Sequence, residues 1–265
     1  MNTPKNQNLI ADARIHSARS DSTQTKFKRS LNLNNCVKHY FFGKDCIIDR
    51  ELSKREELNC SLTKQGFRHS NMLFVNQIHG AEIVVVDAKE KIHGDQNLPK
   101  ADGLVTNLPN IAIGIITADC APILLFDEEK NVIAAIHAGW RGAKLGVISA
   151  AVEKMKKLGA QKISAIIGPM IQQKSYEVSQ EFFDDFTSEN QANKKFFIDG
   201  LKADKHLFDL PSYVEEKLCE AGISEIKNER IDTYENEQNL FSFRRSTHRG
   251  EKDCGRNVSV IMIDK

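Results

Sequence analysis

This chain of 265 residues has no CxxC pair, no long apolar run, no excess of one charge and few aromatics. Each absence excludes something. Its 6 cysteines stand singly, at positions 36, 46, 60, 120, 219 and 254. Without paired spacing they make neither a finger-type zinc motif nor a disulfide framework, and reduced thiols are expected. No segment reaches the roughly 18 apolar residues of a membrane span. The N-terminal "MNTPKNQNLIADARIHSARSDSTQTKFKRS" has no apolar stretch of the secretory kind, so a cytoplasmic protein is expected. A formal net charge of +1 and the lack of Lys/Arg runs leave no footprint for nucleic acid. Aromatic residues make up 7%, with a single tryptophan, Trp140.

What is present is a core. The chain is 40% hydrophobic and 28% charged, enough for one sizeable soluble domain. Residues 1–36 are polar and read as a disordered or divergent segment, leaving one catalytic domain over 37–265. Short Val- and Ile-rich runs predict strands at 72–79, 82–88, 101–107, 111–120, 122–127 and 131–137, with a tight hairpin at "DEEKN". Helical spacing follows over 143–160, ended by Gly159. A strand over 162–168 comes next, then helices over 178–189 and 208–222 and a last strand over 258–264. Strands first and helices interleaved later give an α/β or α+β domain.

Three reactive side chains close predicted strands: His79, Cys120 and His137. Strand ends at one rim of a sheet are where rigid scaffolds present chemistry. A thiol and imidazoles at such ends are either a nucleophile with its base or ligands of one metal. Two imidazoles and one thiolate suit zinc and leave a fourth position open, the pattern of catalytic sites. Asp102 lies in "ADGLVT". Asp119 precedes Cys120 and is a candidate proton carrier. Arg141, in "GWRG" on a loop before a helix, can bind an anion. Arg244 and Arg245, placed after an aromatic strand in "FSFRRSTHRG", form a second candidate anion site.

"NQIHG", "ADGLVT", "TADCAPILL", "IHAGWRG", "IGP…SYEV" and "FSFRR…GR" occur in this order. Together they resemble the YfiH-like, or laccase-domain, family, also called multicopper polyphenol oxidoreductases and including human FAMIN. The resemblance covers about residues 70 to 263. It implies a single-domain α-β-β-α sandwich and a zinc held by His79, Cys120 and His137. It implies phosphorolysis of purine nucleosides (adenosine, inosine and methylthioadenosine) to free base and ribose 1-phosphate, with adenosine deamination at the same site. Copper, suggested by the older family label, is weighed below zinc, because one dispersed His/Cys/His set does not build a multicopper relay.

The expected partners are therefore a purine nucleoside and phosphate, with no nucleic acid and no membrane, in a monomer or weak homodimer. Arg141, Arg244, Arg245 and Asp102 are the candidate substrate and phosphate contacts; Asp119 and Cys120 are the candidate catalytic groups. Rival readings are a metal-free cysteine hydrolase using Cys120 and His137, and a non-enzymatic binding module. The chain departs from the family pattern in having no "GGVS" or "VGDD" segment. It also reads "GPMIQQKSYEV" where the family has a cysteine after Gly-Pro, and it carries the extra stretch "STHRGEKDC".

Overall fold

A computed structural model describes residues 36–46, 55–87 and 98–265. The expectation for the N-terminal 1–36 lies outside the described residues, apart from Cys36. The strands are β1 (Val37–Phe42), β2 (Asn71–Leu73), β3 (Val84–Val86), β4 (Gly103–Thr106), β5 (Ile111–Thr117), β6 (Ala121–Asp127), β7 (Val132–Ala138), β8 (Ser164–Ile167), β9 (Glu177–Ser179), β10 (Phe197–Asp199), β11 (Lys205–Phe208), β12 (Glu225–Asn228) and β13 (Asn257–Ile263). The helices are α1 (Arg55–Lys64), α2 (Trp140–Lys144), α3 (Val147–Lys157), α4 (Gln180–Ser188), α5 (Leu210–Glu220) and α6 (Phe243–His248).

Two sheets carry the domain. One has the order β12-β8-β6-β7-β4-β3, the other β1-β13-β5-β2; a small third sheet orders β10-β11-β9. Strands β6 and β7 are buried along their whole length and pair antiparallel, from Ala121 opposite Ala138 to Asp127 opposite Val132. A strand covered on both faces reads as a continuous apolar run, which is how "APILLFD" and "VIAAIHA" read.

The layers follow from which side chains meet. Phe41, Ile113, Ile115 and Ile261 of one sheet pack on Leu124, Phe126, Ile133 and Ile166 of the other. The far face of the six-stranded sheet meets Val147, Ala151 and Met155 of α3 and Val214 and Leu218 of α5. On the outer face of the four-stranded sheet, Leu58 and Leu62 of α1 pack against Tyr40, Val258 and Val260. The result is the expected α-β-β-α sandwich in one domain.

Several elements differ from expectation. The predicted helix over 143–160 is two helices, because Gly146 turns left-handed at φ 89 between α2 and α3. The predicted strand over 72–79 stops at Leu73, so His79 stands in a loop rather than at a strand end. Strand β5 stops at Thr117, short of the expected Cys120. "FRRSTH" is helix, not the tail of an aromatic strand: the Ser242 hydroxyl accepts from the Arg245 amide at 3.2 Å and caps α6. Helices α4 and α5 are capped at their N-termini, the Ser179 hydroxyl accepting from the Phe182 amide and the Asp209 carboxylate from the Ser212 amide.

Candidate metal centre and active site

The turn between β5 and β6 presents Cys120, and the penultimate residue of β7 presents His137. Pairing of β6 with β7 sets Ala121 opposite Ala138, which brings these two ends of the sheet together. His79 reaches them from the 74–83 loop. Gln77 pins that loop to β5: its amide donates to the Ile116 carbonyl at 2.8 Å and its oxygen accepts from the Ile116 amide at 2.9 Å.

Asp102 is the organiser. It is 0% exposed. Its Oδ1 accepts from the His79 amide at 2.8 Å and from His137 Nδ1 at 2.9 Å. Its Oδ2 accepts from the Gly80 amide at 2.6 Å. Asp102 is expected from sequence as a substrate contact; the structure places both its oxygens on groups inside the protein. They hold His79 in its left-handed backbone (φ 58) and fix the proton of His137 on Nδ1. Burial alone would raise the Asp102 carboxyl; the hydrogen bonds and charge of His137, with the Gly80 and His79 amides, bring it below the usual range.

The ligand atoms of His79, Cys120 and His137 lie within 4.8 Å of one another. Cys120 Sγ is 3.8 Å from His79 Nε2, and the two imidazole rings meet edge to face at 4.7 Å. A tetrahedral zinc with bonds of about 2.3 Å to sulfur and 2.0–2.1 Å to nitrogen needs an S···N separation near 3.5 Å. The donor set and its spacing therefore fit that ion. Room is kept by Gly139: a methyl group there would stand 3.0 Å from Cys120 Sγ and 3.2 Å from His79 Cδ2. Behind His137, a carboxylate bonded to the distal ring nitrogen is the usual support of a metal-bound histidine.

The same three groups are electrically polarised. Burial would raise the Cys120 thiol, but the charge and hydrogen bond of His137, with those of His79, lower it to about 6. Burial would lower His137, but the Cys120 charge and the Asp102 carboxylate lift it to about 9. A thiolate at neutral pH is both a soft metal ligand and a nucleophile.

Asp119 takes the left-handed backbone at φ 88 just before Cys120, a turn an aspartate tolerates better than most residues. Its Oδ1 accepts from the Thr233 hydroxyl at 2.6 Å and its Oδ2 from the Arg244 amide at 2.6 Å. Asp119 so fastens the start of α6 to the cysteine turn. The Arg244 guanidinium lies 5.3 Å over the Tyr176 ring and donates to the Glu177 carbonyl at 2.6 Å.

Arg245 goes elsewhere. It is 8% exposed, and its guanidinium donates to the carbonyls of Thr233, Tyr234 and Leu240 at 2.6–2.7 Å. It braces the 233–240 loop rather than facing the cluster. Arg141 sits in the first turn of α2, exposed, not on a loop before the helix. Trp140 packs edge to face on Phe182 at 4.9 Å. Of the other arginines in the late motif, Arg249 makes a two-pronged pair with Glu237. Tyr176 and Thr233 were not singled out from sequence; "SYEV" carried the tyrosine only as part of a longer motif.

Residues 45–264 match the family model described as multi-copper polyphenol oxidoreductase laccase. A purine nucleoside phosphorylase of Rickettsia prowazekii is 41% identical over 230 residues, 87% of this chain and 92% of the relative. One from Mycobacterium tuberculosis is 32% identical over 201 residues, 75% of each chain. Among solved structures, YfiH of Bacillus licheniformis superposes with a TM-score of 0.74 at 25% identity, over 86% of this chain and 93% of that one. A Neisseria meningitidis protein of the DUF152 family gives 0.71 at 25% identity, over 90% and 100%. With the sandwich, the ordered motifs and these matches together, the chain belongs to the multi-copper polyphenol oxidoreductase laccase family, in its YfiH-like form.

Proposed function

We propose that this chain is a zinc-dependent purine nucleoside phosphorylase. It takes adenosine, inosine or methylthioadenosine with phosphate to free base and (methylthio)ribose 1-phosphate, and deaminates adenosine as a side activity. The carrying observation is the His79/Cys120/His137 cluster backed by Asp102, in a chain 41% identical to a protein named purine nucleoside phosphorylase. Held by those three residues, zinc would supply Lewis acidity at the open rim. The copper and phenol chemistry in the family's name calls for further clusters; one such group is found among the described residues.

The chain's own groups have separable tasks. Asp102 keeps the His137 proton on Nδ1, so Nε2 is the nitrogen presented to the cluster. Phosphorolysis joins a phosphate oxygen to C1′ of the ribose while the bond from C1′ to the purine breaks, and the base leaves with the electron pair. An incoming phosphate needs cations, and Arg141 and Arg244 are the proposed cradle. Arg245 supports this cradle by bracing the loop next to Arg244 rather than by touching phosphate. Asp119 is the proposed proton carrier for deamination; each of its oxygens keeps a lone pair beyond the bond it already accepts.

The polarised pair, Cys120 lowered to about 6 and His137 raised to about 9, favours a second reading, a metal-free cysteine hydrolase. One assay separates them. Zinc-loaded protein is given each nucleoside with and without phosphate, and ribose 1-phosphate is measured before and after chelation. Phosphate-dependent product that chelation abolishes is expected. Turnover that ignores both phosphate and chelation, but stops when Cys120 is alkylated, would assign the site to the thiol instead.

A further inference from the structure

Breaking the bond from C1′ to a purine leaves negative charge on the base, and a hydrogen-bond donor must meet it. The Thr117 hydroxyl, three residues before Cys120, has no partner but is buried, in a residue 2% exposed, and other nearby hydroxyls are committed. Thr233 donates to Asp119, and Ser175 donates to Asp232 at 2.6 Å. Asp102 accepts with both oxygens, Asp119 is tied through both oxygens to Thr233 and the Arg244 amide, and the ring nitrogens of the cluster are the proposed metal ligands.

Tyr176 is different. Its backbone is fixed on both sides: its amide donates to the Gln173 carbonyl, and its carbonyl accepts from the Phe208 amide at 3.0 Å. Its ring is clamped between the edge of Phe208, 5.7 Å away, and the Arg244 guanidinium, 5.3 Å from the ring centre. Arg244 is in turn tied by its amide to Asp119, the neighbour of Cys120. The ring is therefore held in a set orientation, half-buried and linked to the Cys120 turn through Arg244 and Asp119, and its hydroxyl makes no hydrogen bond among the described residues.

We propose that the Tyr176 hydroxyl is the donor to the departing purine, a catalytic role for a residue outside the metal set. This rests on the phosphorylase reading above. No proton need be transferred: the phenol shares its hydrogen with the base as the electron pair moves onto the ring, and solvent completes protonation of the free base. Burial and the nearby Cys120 charge hold the phenol above its ordinary range, so the O–H is intact throughout the pH range of the assay. Arg244 over the ring opposes that rise and sharpens the hydroxyl as a donor.

The test compares inosine with 7-methylinosine, whose base already carries positive charge and leaves without a donor. Phosphate-dependent kcat is measured for wild type and Tyr176→Phe, which keeps the ring and its stacking. The expected result is a kcat for inosine lowered by about 100-fold in the variant, with 7-methylinosine changed by less than about threefold. Retained turnover of the methylated substrate shows that the variant is folded. Equal losses on both substrates, or no loss on either, would overturn the role of Tyr176. Wild type that makes no ribose 1-phosphate from either substrate would overturn the phosphorylase reading itself, and the proposal with it.

Discussion

Asp102 decides which nitrogen of His137 faces the cluster, and it does so with no surface of its own. Asp102→Asn keeps the shape but can offer its amide N–H where a carboxylate oxygen stood, against the Nδ1 proton. Metal affinity measured by competition with a chelator is predicted to fall about 10- to 100-fold, as for other partners that orient metal-bound histidines. Gly139 acts by what it lacks. Its backbone angles suit alanine, so the cost of Gly139→Ala is purely the methyl group at 3.0 Å from Cys120 Sγ. A loss of metal affinity of at least about tenfold is expected with little change in melting temperature; an unchanged metal titration would contradict the crowding. These roles were only half legible in the sequence. The three side chains that meet could be read, because a thiol and two imidazoles stand out in apolar surroundings. The job of Asp102 could not, because it depends on a contact between residues far apart in the chain.

At the scale of elements, the two adjacent arginines of α6 part company. Helical geometry sends neighbouring side chains in different directions. Arg244 turns toward Tyr176 and Arg245 into the core, a divergence that a strand or loop assignment for "FRR" hides. Arg245→Met would leave three buried carbonyls without their donor and is predicted to cost about 2–4 kcal/mol in urea unfolding. Arg244→Ala is expected to raise the KM for phosphate with a smaller change in stability. A stable Arg245→Met protein with a large rise in phosphate KM would reverse the assignment.

The strands β5, β6 and β7 were legible because burial on both faces leaves almost continuous apolar runs, broken only near their ends by Thr117, Asp127 and His137. Strands β9 to β12 were not: "EVS", "FID", "KHLF" and "EIKN" are short and half exposed, so no run forms. Helix α1 escaped for a similar reason, since only Leu58 and Leu62 anchor it among polar neighbours.

For the whole molecule, acid stability tests the packing of the four-stranded sheet. His39 on β1 is 2% exposed, and burial first, then the Lys227 charge, lowers its imidazole to about 4. Between about pH 6.5 and 4 the unfolded chain binds a proton there that the native state refuses, so stability falls as pH falls through that window. The loss is at most about 3 kcal/mol. His39→Leu is expected to flatten the dependence of the urea midpoint on pH between 7 and 4. The Cys120–His137 pair does not mimic this: above pH 6.5, the cysteine's gain with rising pH is opposed by the histidine's loss. None of the described helices is long and apolar enough to cross a membrane. The α-β-β-α architecture could be anticipated only by resemblance, since the apolar runs do not say which of two sheets each strand joins.

The most direct test of the central claim is the metal content of purified wild type beside Cys120→Ala, by elemental mass spectrometry. About one zinc per chain is expected in the wild type, lost in the variant. No metal in the wild type, or a full complement in the variant, would contradict it.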